Sequence, residues 1–97
     1  MGVGITYAVS AFKHGMREEQ IAYVLSHCGL VFDESAPPDA KVLDDRSLFL
    51  GDDANGVAIE VAGIELEPGD MLVVHTMKLR AAYRNRYEQA LEYRKVP

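Results

Sequence analysis

Residues 47–77, SLFLGDDANGVAIEVAGIELEPGDMLVVHTM, decide the fold, because three apolar runs alternate there with two turn signals. Leu48, Phe49 and Leu50 mark a short strand over Ser47–Gly51, and Asp52-Asp53-Ala54-Asn55-Gly56 follows as a turn whose Asn-Gly favours positive φ. Val57, Ile59, Val61 and Ile64 form the next strand, with Ala58, Glu60 and Ala62 facing the other way. Glu67-Pro68-Gly69-Asp70 is the second turn, since proline presets φ and glycine follows it. Met71–Met77 opens with a continuous apolar run and reads as a central strand. Sequential strands joined by tight turns predict an antiparallel meander of three to four strands.

Helical periods flank this core. From Arg17 to Cys28 the apolar Ile21, Val24, Leu25 and Cys28 recur at helical spacing, and Glu18 and Glu19 occupy the first turn, where the helix dipole favours acids. Gly29 stops that helix, and Asp33–Asp45, with two prolines and several acids, has the composition of an exposed connector. Ahead of it, Val3–Tyr7 alternates weakly, as a short edge strand or as the lead-in to a short helix over Ala8–His14. Gly15 suits the left-handed position that ends a helix, with Lys13 and His14 in the last turn beside exposed carbonyls. Ala81, Ala82, Tyr83, Tyr87, Ala90 and Leu91 mark a final helix over about Arg80–Tyr93. The predicted fold class is α+β: N-terminal helices, an antiparallel meander and a C-terminal helix.

With 97 residues the chain is expected to form a single domain, 1–97. No apolar run approaches the length of a membrane span, and no secretory signal is recognised, so a soluble protein with no membrane partner is expected. A lone cysteine, Cys28, forms no internal disulfide and fits a reducing cytoplasm. The net charge of −5 argues against a nucleic-acid binder, yet it is unevenly distributed. Residues 1–77 hold 4 basic and 13 acidic side chains, and residues 78–97 hold 6 basic and 2 acidic ones. A basic final segment suits contact with an anion, and the plainer reading of the charge alone is a solvated helix neutralised by nearby acids.

Lys13-His14-Gly15 before a helix, Arg46-Ser47-Leu48-Phe49-Leu50-Gly51 opening a meander, and a last strand running into a basic helix that carries Tyr87 together resemble the BrnT-like toxins of bacterial type II toxin–antitoxin pairs. The similarity spans nearly the whole chain. It implies the RelE-like ribonuclease fold and a small endoribonuclease of the mRNA interferase type, cytoplasmic and blocked by a cognate antitoxin. Where the family shows Ser-Ala-Arg at the end of the last strand, this chain has His75-Thr76-Met77, and Arg80 lies three residues on.

Cleaving RNA without a metal takes a base for the 2′-hydroxyl, an acid for the leaving 5′-oxygen, and cations for the charged phosphorane. His75 is the candidate acid or base, with Arg46 and Arg80 as phosphate clamps. Lys13, His14, Lys78 and Arg84 are candidate RNA-binding cations, and Tyr83 or Tyr87 could stack a base. Plainer roles stand beside these: His14 as a helix cap, His75 as a hydrogen-bonded strand-end residue, and the tyrosines as core. No cofactor is expected, and His14, His27 and His75 lack the short spacing of metal ligands. Cys28 has no evident activating partner beyond His27. The RNA substrate and the antitoxin are the expected partners, and a homo-oligomer is left open. A non-catalytic interaction module with the same fold is the alternative.

Overall fold

The computed structural model describes residues 4–40, 44–67 and 69–95. Along the chain run β1 (Gly4–Tyr7), a single 3₁₀ turn (Val9–Phe12), α1 (Glu18–His27), β2 (Leu30–Glu34), β3 (Arg46–Asp52), β4 (Ala58–Glu67), β5 (Asp70–Lys78) and α2 (Ala81–Lys95). The strands form one five-stranded sheet in the order β1-β5-β4-β3-β2. Neighbours β2 to β5 pair antiparallel, and β1 joins β5 in parallel, so the sheet is mixed.

The α+β class and the meander of β3, β4 and β5 are observed. Three features correct the expected layout. The helices do not come first, because β1 precedes them and occupies a sheet edge. Both readings of the N-terminal segment are partly realised: Gly4–Tyr7 is an edge strand, and the stretch after it closes only one 3₁₀ turn. Val3 lies outside the described residues, as does Pro68 of the second turn. Finally, β2 forms where a connector was expected to begin at Asp33. Its alternation is short but real: Leu30, Phe32 and Glu34 are half-buried, and Val31 and Asp33 are exposed.

Each sheet face has its own core. On one face α1 and the 3₁₀ turn bring Ala11, Ile21 and Val24 against Ile59, Val61 and Val73, all fully buried. Burying Ile21 and Val24 contributes about 1.5–3 kcal/mol each, enough to hold a ten-residue helix that is marginal alone. Gln20 fixes the start of α1, accepting from the Arg17 backbone N–H and donating to Asp53 Oδ2. Asp53 Oδ1 in turn accepts from the N–H groups of Asn55 and Val57 and shapes the turn in which Gly56 takes φ +82°. The opposite face carries Leu48, Ala62, Ile64 and Val74 in one cluster and Leu50, Leu79 and Tyr87, under α2, in another.

Gly51 is where the end of α1 crosses β3. A Cβ there would stand 2.9 Å from Cys28 Cα, a backbone atom with nowhere to go. Gly51→Ala is therefore expected to destabilise the fold by about 1–3 kcal/mol in chemical denaturation, as overpacking does. Gly63→Ala is the comparison: its Cβ would meet the mobile thioether end of Met71, and the loss should be smaller.

Candidate active site

A break in the pairing of β4 with β5 sets up the site. Ala62 pairs with His75 while Gly63 pairs with Val73, so Val74 is an extra residue in β5. Such a bulge re-aims side chains. Here it turns both Val74 and His75 toward the α2 face, and both line the same cavity. Thr76 is returned to the α1 face, where its hydroxyl donates to the carbonyl of Ala11. Ser10 donates to the carbonyl of Val74 at 2.6 Å, so the 3₁₀ turn is fastened along β5 on both sides of His75. That attachment carries His14 to His75. Their rings meet edge-on, with centroids 5.6 Å apart and planes at 77°.

The cavity measures about 590 Å³. Its floor is apolar, built from Leu48 of β3, Ala62 of β4, and Leu72 and Val74 of β5. Lys13, His14, Arg46, His75 and Arg80 supply its basic groups, and Glu34 and Asp39 add carboxylates. Tyr83 closes one side, its hydroxyl donating to Glu34 Oε2 at 2.7 Å. Desolvation, reinforced by that carboxylate, pushes the Tyr83 phenol up to about 12, so it stays a neutral donor.

Beneath these groups lies Glu60, a carboxylate with no solvent exposure. Burial alone would push its pKa up. Hydrogen bonds from His75 and Arg80 reverse this and hold the carboxyl below the usual glutamate value. His75 Nε2 stands 3.1 Å from Oε2, Arg80 Nη2 donates to Oε2 at 2.7 Å, and Arg80 Nε and the Arg80 backbone N–H donate to Oε1 at 3.0 Å. An ionised carboxylate only accepts, so Nε2 of His75 is the nitrogen that presents a proton to Glu60, and whenever the ring is neutral its lone pair is on Nδ1. Glu60 therefore fixes both the orientation and the tautomer of His75, as the carboxylate of a catalytic triad does. Arg80 is half-exposed while engaged this way, its guanidinium 5.3 Å from the Tyr83 ring centroid.

Of the residues singled out from the sequence, Lys13, His14, Arg46, His75 and Arg80 border one cavity although they come from three separate parts of the chain. Lys78 and Arg84 are exposed but lie outside it. Tyr87 is corrected: it is 5% exposed, packed with Leu50 and Leu79, and its hydroxyl donates to Asp52, so it presents no face for a base to stack on. Glu60 was missed as a site residue. The only signal was a charge inside a strand, and alternation pointed it to the wrong environment, because both faces of β4 are covered. Among the described residues no group of three or more His, Cys, Asp or Glu side chains is placed to hold a metal ion, and no helix is long and apolar enough to cross a membrane. No protein-family model matches the chain, and a search of curated proteins returns no match.

Proposed function

We propose that this protein is a BrnT-like toxin with a RelE-like fold: a small cytoplasmic endoribonuclease that cuts RNA by metal-independent transesterification and is held in check by a cognate antitoxin. One observation carries the reading. His75 from β5, Arg46 from β3 and Arg80 at the start of α2 border a single cavity, with Lys13 and His14 joining them from the N-terminal segment. A proton-transfer group oriented by a buried carboxylate, beside guanidinium and ammonium groups, is the equipment that phosphodiester cleavage without a metal requires. The test is incubation of purified protein with single-stranded RNA in EDTA. Cleavage is expected from the wild type and not from a His75→Ala, Arg80→Ala double variant whose circular dichroism matches it; equal behaviour of the two proteins rejects the enzymatic reading.

A second reading is favoured by the engagement of Arg80 with Glu60 and by the carboxylates of Glu34 and Asp39 in the same cavity. The cleft would then receive a mixed-charge segment of a partner protein. It predicts antitoxin binding unchanged by EDTA and no degradation of RNA at any protein concentration.

A further inference from the structure

We propose that His14 is a catalytic residue, the general acid that protonates the leaving 5′-oxygen, and that His75 acts as the base through Nδ1. This rests on the reading of the cleft as an RNA-cleaving site. Three observations assign the roles. First, the hydrogen bond to the Glu60 carboxylate places the His75 proton on Nε2 and leaves Nδ1 to accept one. Second, His14 is exposed at the cavity edge, with its ring 5.6 Å from that of His75, so one phosphodiester can span both. Third, among the described residues that border the cavity, the other donors are side chains that do not readily release a proton. Tyr83 is held near 12 by desolvation and Glu34, and lysine and arginine hold their protons too tightly.

The balance is complete without a further reactant. The 2′-oxygen attacks phosphorus and gives its proton to Nδ1 of His75. The bond from phosphorus to the 5′-oxygen breaks, and that oxygen takes a proton from His14. The products are a 2′,3′-cyclic phosphate and a 5′-hydroxyl, and exchange with water returns the proton from His75 and restores the one on His14. Lys13 and Arg46, both bordering the cavity, supply positive charge for the phosphorane.

The experiment compares two RNA oligonucleotides in EDTA: an all-oxygen strand, and one with sulfur replacing the bridging 5′-oxygen at the position the wild type cuts. A thiolate departs without protonation. His14→Ala is expected to slow the all-oxygen strand by about 100-fold or more and the sulfur strand by no more than a few-fold. His75→Ala should slow both strands alike. His14→Gln, which keeps a polar side chain of similar size, should follow His14→Ala, and circular dichroism checks that all variants fold. Equal deficits of the His14 variants on both strands make His14 a binding group and overturn the assignment. Rescue of His75→Ala by sulfur in place of His14→Ala reverses the roles and overturns it too. Cleavage by His14→Ala at the wild-type rate overturns it while leaving the nuclease reading intact, whereas a wild type inert on both strands removes that reading and this assignment together.

Discussion

Alanine at position 60 is expected to lower stability by about 3 kcal/mol, the low end of the range for breaking a buried ion pair. The low end applies because the partners left behind can rehydrate: Arg80 is half-exposed and the His75 side chain is 25% exposed. Glutamine separates charge from volume. Its oxygen can still accept from Arg80, but its amide must then donate to His75 Nε2, which forces the proton onto Nδ1. Glu60→Gln should therefore keep more of the stability than alanine does, yet lose most of the proposed RNA cleavage, because the ring is held in the tautomer that cannot act as the base assigned to it. The pH dependence follows from the sign of the shift. The folded-state pKa of Glu60 lies below the ordinary value of 4.5, so its stabilisation is complete above that pH and disappears as the pH falls through the folded value. Asp53, lowered by hydrogen bonds from Val57 and its neighbours, works in the same direction. Urea midpoints measured between about pH 6 and pH 3 should fall steeply for the wild type and less steeply for Glu60→Gln. An unchanged slope would mean that Glu60 gains nothing from its partners.

Replacing His75 by alanine should act on rate far more than on folding. The expected loss of the proposed RNA cleavage is about 10²–10⁴-fold, the usual contribution of a positioned proton-transfer group. Stability should fall by only about 1 kcal/mol, because Glu60 keeps its hydrogen bonds from Arg80. Single-turnover cleavage read beside a thermal melt distinguishes the two effects. A large drop in melting temperature with cleavage preserved per folded molecule would mark the ring as structural.

The parts of this architecture that were legible in the sequence are those with local causes. The Asn55-Gly56 turn, the glycine ending at Gly15 with φ +80°, the Ile21–Val24 stripe and the run into β5 each announce themselves within a few residues. Strands β1 and β2 do not. The first pairs Gly4 with Asp70, a partner far along the chain that no short pattern can name. The second hides a usable inward row, Leu30, Phe32 and Glu34, next to acids and prolines that read as a connector. The cleft shows the same division. His75, Arg46 and Arg80 are residue types that suggest their chemistry wherever they fall, and the sheet brings them together. Glu60 became visible only with the register, since a glutamate between Ile59 and Val61 looks solvent-facing until His75 and Arg80, the residue before α2, close over it. Tyr83 and Tyr87 lie four apart on one helix face, and periodicity alone did not show that one borders the cavity while the other is sealed against Asp52.

The fastening of the 3₁₀ turn to β5 closes a far longer loop than the contacts around Glu60 do. Glu60, His75 and Arg80 meet across separations of 15 and 20 residues, whereas Ser10 and Ala11 reach Val74 and Thr76 across 64 and 65. Roughly two doublings of the loop add about 1.2 kcal/mol of closure entropy, and distant pairings of this kind slow folding. Seating the 3₁₀ turn therefore costs more closure entropy than bringing Glu60, His75 and Arg80 together. The edge-on meeting of the His14 and His75 rings therefore depends on the long closure, whereas the grip of Glu60 on His75 and Arg80 depends only on the short ones.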